Sequence, residues 1–213
     1  AYGSDINSMT MGVTPLHLAA MRNRPEAMKV LLMNNANVNL ISELDGSTAL
    51  FIACGNGFDV IVKLLLKYGA DTSVRNVKTG SFPLLHASVN NKMQIVRMLL
   101  HDGRADANLA TVDGWRSIHI VAMHGYLATL NTLAVHSCEM FARGNDDMTA
   151  LHFAAMNGHE NILIELLHIL KTSGDSPFLR GVLDIPRESD GSTALHIASR
   201  KGDYVFVRRL LKA

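Results

Sequence analysis

The stretch TALHFAAMNGHENILIELL (residues 149–167) contains a small apolar block, a Gly-His pair and a run of Leu and Ile. Similar strings occur five more times in the chain, and the six copies begin at Thr14, Thr48, Phe82, Arg116, Thr149 and Thr193. Successive copies lie 34, 34, 34, 33 and 44 residues apart. A nearly constant period of this length predicts a row of stacked structural repeats.

Each copy predicts two short helices. The hydroxyl of Thr14 can cap the first helix, and Pro15 suits a first helical position because no backbone N–H is needed there. We expect this helix to end at a residue in the left-handed conformation, which is Gly57, Gly125, Gly158 or Gly202 in four copies and Asn23 or Asn91 in two. An apolar second helix follows and closes at Gly69 or Gly103 in two copies.

Tight turns are predicted before most copies. A Gly that can adopt positive φ follows Asp or Thr at residues 45–46, 79–80, 113–114 and 190–191. Acidic residues at the turn tips could also form an acidic stripe for a basic partner, namely Asp45, Asp113, Asp146, Asp147 and Asp190, although Asp-Gly is what such a turn prefers on its own.

The residues quoted above resemble the ankyrin repeat, whose pattern is a DGxTPLHLAA block, a GH turn, a V-V-x-L-L-L helix and a GADvN exit. The resemblance covers nearly the whole chain and implies an all-α solenoid of about six stacked helix-turn-helix units with short β-turn or hairpin tips. It also implies that the first helices line a concave face.

The unit boundaries that follow are 1–9 for the exit of a preceding repeat, then 10–43, 44–77, 78–111, 112–144, 145–188 with an insertion, and 189–213 for a truncated unit. Neither end has the polar character of a capping repeat, so we expect the chain to be an excerpt of a longer protein.

Two segments depart from the pattern. The fourth unit lacks the Leu triplet and the exit Gly, and has Ala134 and Ser137 instead. We therefore expect its interface to be the weakest and the segment from Leu130 to Arg143 to open most readily. Near the end of the chain, 11 extra residues separate two copies, which predicts that Leu166 to Leu170 extend the second helix by about a turn. A surface loop is expected at Gly174, Pro177 and Gly181.

Composition and charge exclude several classes of partner. The 213 residues include 20 Lys and Arg against 19 Asp and Glu, with no dense basic patch suited to nucleic acid. The apolar runs are far shorter than the roughly 20 residues of a membrane span, so no direct membrane insertion is expected. Two cysteines and the character of the first residues favour a cytoplasmic location, with the nucleus as an alternative.

No catalytic, cofactor or metal site is expected in this segment, because no HExxH, CxxC, GxSxG or phosphate-loop pattern occurs. His17, His119, His152 and His196 share one position of the repeat, which is better explained by hydrogen bonds to the adjacent turn than by chemistry. Cys54 and Cys138 are at small core positions and are expected to be buried thiols and not nucleophiles.

The ankyrin resemblance implies that a partner contacts the turn tips and the exposed side of the first helices. These positions are Met11, Val13, Met21, Arg22, Leu44, Val112, Trp115, Met123, His124, Met148, Met156, Asn157, Arg200 and Lys201. We expect a groove centred on the fourth and fifth units, with Trp115 as an anchor whose loss weakens binding and not stability, since Trp is enriched at hot spots and Met adapts to irregular partners. The alternative is that Trp115 folds over its own turn and the methionines fill gaps between units.

The function implied is a non-catalytic module or scaffold, a monomeric array that binds a peptide or protein surface. An alternative is a recruitment or linker array of a larger enzyme or ion channel whose catalytic or pore-forming domain lies outside this segment. A microbial effector that engages host proteins through the same surface is a third interpretation.

Overall fold

The computed structural model of this chain describes residues 5–102, 105–172 and 178–213. Over these residues the regular structure is helical, apart from one isolated bridge between Thr10 and Val13. The chain divides into two compact units, Ala1–Asp106 and Ala107–Ala213, hereafter unit 1 and unit 2. The prediction of an all-α solenoid of stacked helix-turn-helix units is confirmed, whereas the six individual unit boundaries remain predictions.

The described part of unit 1 contains three helix pairs. Its helices are α1 (Pro15–Met21), α2 (Pro25–Met33), α3 (Ala49–Asn56), α4 (Asp59–Lys67), α5 (Pro83–Val89) and α6 (Met93–His101). The first helices pack in the order α1, α3, α5 and the second helices in the order α2, α4, α6. Ile61 and Leu65 of α4 and Ile95 of α6 are completely buried between these layers, as an amphipathic helix requires.

The described part of unit 2 contains three further pairs and one additional helix. Its helices are α7 (Ser117–His124), α8 (Leu127–Ala134), α9 (Ala150–Asn157), α10 (Glu160–Thr172), α11 (Phe178–Leu183), α12 (Ala194–Lys201) and α13 (Tyr204–Leu210). First helices α7, α9 and α12 pack in that order, and so do second helices α8, α10 and α13.

The first helices begin and end as the sequence predicts. Thr14 caps α1 by accepting a hydrogen bond on Oγ1 from the His17 N–H at 3.3 Å. Gly57 ends α3 at φ +83°, and the asparagines that replace this glycine, Asn23 and Asn91, also have positive φ, at +49° and +52°. These two positions show that Asn takes the left-handed role when Gly is missing. Gly103 lies outside the described residues.

The small residues of the first helices allow close packing. Ala20, Ala53 and Cys54 are completely buried, and Gly55 lies directly against the ring of His86, so that any side chain there would collide with that ring. The imidazole of His86 stacks on Phe51, with ring centroids 4.2 Å apart and an interplanar angle of 10°. A glycine in a helix interior is unfavourable on its own, and this close approach explains it.

The two irregular segments follow the predictions in part. Helix α10 has 13 residues where α4 has 9, so the second helix is about a turn longer, as predicted, although the added residues are 169–172 and not 166–170. The prediction of a loop at Gly181 is wrong, because this residue lies within α11. Gly174 and Pro177 lie outside the described residues.

The fourth unit closes on a residue that is poorly suited to its backbone conformation. Ser137 has a φ of +57° at the position where Gly69 has +81°.

Candidate functional site

The turn tips of unit 1 form a row that is tied together by the backbone. The tip at residues 42–47 is closed by the Ser42 N–H, which donates to the Ser47 carbonyl at 2.8 Å. Neighbouring tips are joined because the Glu43 N–H donates to the Gly12 carbonyl and the Val77 N–H donates to the Asp45 carbonyl, both at 2.9 Å. Side chains on these tips are therefore displayed from an ordered framework.

The aspartates of the tips hold the turns in shape. In the tip at 42–47, Asp45 accepts hydrogen bonds from the Ser47 N–H at 3.0 Å and the Ser47 hydroxyl at 2.8 Å. Partial burial raises the pKa of Asp45, but hydrogen bonds from Ser47 and Asn76 outweigh that effect and hold the pKa below its usual value. This carboxylate stabilises its own turn, which explains the Asp-Gly pattern without a partner.

Unit 2 has a second set of joined tips. The Glu188 N–H donates to the Asp146 carbonyl at 3.0 Å, and the Ser189 N–H donates to Asp146 Oδ1 at 2.6 Å. Arg187 forms an ion pair with the same carboxylate at 2.9 Å. Asp146 is thus a structural link between consecutive tips of this unit.

The repeated histidines bind the turns, as expected. The Thr14 N–H donates to His17 Nδ1 at 3.2 Å, so the neutral ring carries its proton on Nε2, which donates to the Ser47 carbonyl at 2.9 Å. In the same way the Arg116 N–H donates to His119 Nδ1 at 3.2 Å, and Nε2 of this ring lies 2.9 Å from the Ala142 carbonyl. With both nitrogens occupied, these two rings offer no lone pair to a metal or substrate.

His152 and His196 differ from the other two. His152 Nδ1 accepts from the Thr149 N–H at 3.1 Å, but its buried Nε2 has no hydrogen-bond partner among the described residues. Burial lowers the pKa of this ring, and the backbones of Ser192 and Ile185 oppose that effect in part. His196 is exposed and keeps the capping contact with the Thr193 hydroxyl at 2.9 Å.

Burial keeps the buried histidines neutral. Burial lowers the pKa of His119 below its ordinary value of 6.5, the hydrogen bond to Ala142 opposes this in part, and the charge of Arg116 lowers the pKa further. Burial is also the largest cause of the lowered pKa of His17, His86 and His152. A proton on Nδ1 of His17 would face the N–H of Thr14 and break the cap of α1.

Trp115 lies at a tip but is half-buried. Its ring centroid is 5.1 Å from that of Phe153 in α9 and 6.2 Å from that of His119, to which it is edge-on. Trp115 therefore covers the next helix of unit 2 and is not a freely projecting anchor. This arrangement also differs from the alternative in which the ring folds over its own turn.

The other predicted contact residues fall into three groups by exposure. Exposed residues are Met11, Met21, Arg22, Leu44, Val112, His124, Met156, Asn157, Arg200 and Lys201. Met11 at 89% and Val112 at 92% are almost fully exposed, and Met123 is half-buried like Trp115.

Val13 and Met148 are corrections, since each side chain is only 8% exposed and offers little surface to a partner. Val13 forms the backbone bridge with Thr10, and Met148 follows the short 3-10 turn Asn145–Asp147, so both residues turn inward.

Several exposed polar groups are held by the protein itself. Lys201 Nζ donates to the Met156 carbonyl at 2.6 Å, and Arg200 Nη2 donates to Ser192 Oγ at 2.9 Å. His124 stacks on Tyr126 with ring centroids 5.3 Å apart. These contacts place the charges and rings of the first-helix surface in fixed positions.

Sequence reasoning missed the contacts of His159 and of the Phe51–His86 stack. His159 Nε2 lies 3.0 Å from the carbonyl of Met123, so this ring links the turn between α9 and α10 to the end of α7. The Gly-His pair in the quoted stretch, taken together with the small turn at Gly125, could have indicated this contact. In its copy of the repeat, His86 lies one position after the site that His17, His119, His152 and His196 share, and this displacement gave no signal of its stacking partner.

The chemistry of the cysteines is limited by burial. Cys54 and Cys138 are buried, as predicted. Burial raises the pKa of the Cys54 thiol far above its ordinary value, so the thiol stays protonated. Among residues 5–102, 105–172 and 178–213, no group of three or more His, Cys, Asp or Glu is arranged to hold a metal ion. None of the helices described is long and apolar enough to cross a membrane.

Comparison with known proteins also indicates ankyrin repeats. The family model for ankyrin repeats (3 copies) matches residues 16–111 and 118–213. The chain is 34% identical to the mouse B-cell lymphoma 3 protein homolog over 57% of this chain and 28% of that protein. It is 32% identical to the tyrosine-protein kinase HTK16 of Hydra vulgaris over 70% of this chain and 20% of the kinase.

A third similar protein is the human transient receptor potential cation channel subfamily A member 1, which is 31% identical over 98% of this chain and 18% of the channel. The chain thus spans less than a third of the length of each of these relatives. Because the family model matches two segments that together make up most of the sequence, the chain belongs to the ankyrin repeat family.

Proposed function

We propose that this chain is a non-catalytic module that binds a protein or peptide through its turn tips and the exposed side of its first helices. Ankyrin repeats are generally protein–protein interaction modules, and the finer assignment rests on exposed apolar side chains on ordered tips. Leu44 projects from a tip of unit 1 that is fixed by four backbone hydrogen bonds, and Val112 is 92% exposed on a tip of unit 2. Exposed apolar side chains on a preorganised framework favour binding because little ordering is required.

Met21 extends the tip surface of unit 1 onto a first helix, and Met156 does the same in unit 2; both side chains are exposed. Methionine adapts its shape to irregular partners, so these positions suit a protein surface better than a small ligand. The proposed surface therefore consists of the exposed residues and does not include Val13 and Met148. Trp115 supports the exposed residues and is not itself an anchor.

A second candidate is that the array recruits or links parts of a longer protein, such as a channel. The observation that favours it is the alignment with the human cation channel, which runs over 98% of this chain. In that setting the same tips and first helices would contact another domain of the longer protein in place of a separate partner. Under either interpretation the described residues supply binding and not catalysis.

Site-specific crosslinking tests the surface directly. A photoreactive phenylalanine analogue placed at Leu44, Val112 or Met156 should give a discrete crosslinked product in the native cell extract. Matched positions are Val60 on second helix α4 and Val135 directly after second helix α8, which are 59% and 78% exposed.

The proposal predicts products at the first three positions and none at the two controls. Equal products from Val60 and Val135 would contradict it, and so would the absence of any product at all three tested positions. Sequencing the crosslinked product separates the two candidates. If the array links parts of a longer protein, the crosslink must lie within the same polypeptide.

A further inference from the structure

The second helices of unit 2 enclose a groove that the proposed function does not use. The groove lies between α10 and α13, has a volume of about 290 Å³, and is lined by Ile164, Leu167, His168, Lys171, Arg209 and Lys212. Its lining combines an apolar floor with basic groups at the rim.

The floor of the groove is not explained by the repeat. Ile164 is 43% exposed, and the residues at the same register of α4 and α6 are Lys63 and Arg97. Folding therefore tolerates a charged residue at this register, and an exposed Ile there is left without a structural reason. Leu167 lies beside it and is mostly buried.

The lengthened helix contributes part of the rim. Helix α4 ends at Lys67, whose register corresponds to His168, whereas α10 continues to Thr172. Lys171 therefore stands on the extra turn that the insertion adds, and its side chain is exposed. The extra turn of α10, which is the irregular feature of this repeat, therefore supplies one of the basic residues of the rim.

Charge is concentrated at this site although the chain is nearly neutral overall. The formal net charge is +1, yet the lining of the groove includes Lys171, Arg209 and Lys212 and no acidic residue. Of these, Arg209 forms an ion pair with Glu160 at 2.6 Å. Glu165 in α10 is the other acid of these two helices, which leaves a net positive rim. A positive rim favours an acidic partner and repels a basic one.

The geometry points to a docking site for an acidic peptide that places one leucine-sized side chain on Ile164 and Leu167 and sets its carboxylates against Lys171 and Lys212. A peptide fits better than an anionic membrane, because the apolar floor is recessed between two helices and does not project as a membrane-binding face does. The site lies on the second helices, so it does not depend on the proposed function.

Fluorescence anisotropy with a defined probe tests the site on the 213-residue chain. The probe is a labelled peptide of sequence Glu-Asp-Glu-Leu-Glu-Asp-Glu, with a second peptide in which Ser replaces Leu. The double variant Lys171→Glu, Lys212→Glu should bind the Leu probe at least about tenfold more weakly. The matched variant Lys29→Glu, Lys63→Glu has the same net charge and alters exposed residues of α2 and α4. It should bind within about twofold of the parent.

The floor is tested separately through an exposed residue, so that loss of the fold does not confuse the result. Ile164→Ser should weaken the Leu probe about threefold or more and leave the weaker Ser peptide unchanged. Three results would overturn the proposal: equal weakening by the two charge variants, equal binding of the Leu and Ser peptides, or binding to phosphatidylserine vesicles that is lost in the Lys171, Lys212 variant while peptide binding is retained.

Discussion

At the scale of single residues, Trp115 has a structural role in unit 2 that its position at a turn tip conceals. The Trp115 ring packs on Phe153 across two helical pairs of this unit, with the centroids 5.1 Å apart. We expect Trp115→Ala to lower the free energy of unfolding by about 2 kcal/mol, because the substitution exposes Phe153 and removes an aromatic pair. Chemical denaturation with far-UV circular dichroism measures this change.

The control for Trp115 is Val112→Ala on the same tip, which should alter stability by less than about 0.5 kcal/mol since Val112 is almost fully exposed. Trp115→Phe should retain part of the stability because a ring remains against Phe153. Unfolding of the Ala variant at the parent's denaturant concentration would show that the ring is dispensable for the fold, as a pure binding anchor would be.

Residues were predictable where one backbone position demands one residue type. Gly57 and Asn23 were assigned positive φ correctly because few residues other than Gly and Asn tolerate it. The burial of Met148 was not predictable in this way, since it depends on how the 3-10 turn before it is oriented. The contact of Trp115 with Phe153 joins residues far apart in sequence, and no repeated signal marks such a pair.

At the scale of elements, α8 is the helix least suited to its place. Thr129 is buried where α4, α6 and α10 have Ile61, Ile95 and Ile162, and its hydroxyl has no partner among the described residues. The Ser117 hydroxyl in α7 is in the same condition. A buried hydroxyl without a hydrogen bond costs free energy that an apolar group of similar shape does not.

Thr129→Val should therefore raise the free energy of unfolding by about 1 kcal/mol. It should also slow amide exchange in the segment from Leu130 to Arg143, which we expect to exchange faster than α10 in the parent. Hydrogen exchange followed by mass spectrometry measures both segments. Thr48→Val is a control with the opposite expected sign. The Thr48 hydroxyl accepts a hydrogen bond from the Phe51 N–H and caps α3, so its loss should lower the free energy of unfolding by about 1 kcal/mol. A destabilised Thr129→Val protein, or uniformly slow exchange across this segment, would contradict the expectation.

Helix α11 shows where element prediction stops. Gly181 favours a loop by propensity, yet Val182 and Ile185 beside it are buried at 4% and 7% exposure and hold the segment against the unit. Tertiary burial outweighs a propensity difference of about 1 kcal/mol for a single Gly. The extension of α10 was predictable because its apolar residues continue the helical spacing without interruption.

At the scale of the whole molecule, four histidines with lowered pKa values make the fold sensitive to acid. His17 and His86 lie in unit 1, and His119 and His152 lie in unit 2. Burial is the largest cause of the lowered pKa in each case. The unfolded chain therefore binds protons at a higher pH than the folded chain does, and stability rises with pH in that window.

The window begins near the ordinary histidine pKa of 6.5 and extends below it, because the folded values are lower. We expect the thermal midpoint to be nearly constant from pH 9 to pH 7.5 and to fall as the pH is lowered from 7 to 5. Asp45 and Asp71 also have lowered pKa values, but their stabilising effect is lost below the ordinary Asp value of 3.8, so it does not enter this window.

Differential scanning calorimetry of the parent and of a His17→Gln, His119→Gln variant tests this origin. Removing the two rings should lower the midpoint at pH 8, because their hydrogen bonds to Ser47 and Ala142 are lost. The same variant should show a shallower fall between pH 7 and pH 5, since two of the groups that take up protons on unfolding are absent. If the thermal midpoint of the variant fell as steeply between pH 7 and pH 5 as that of the parent, groups other than His17 and His119 would cause the acid sensitivity.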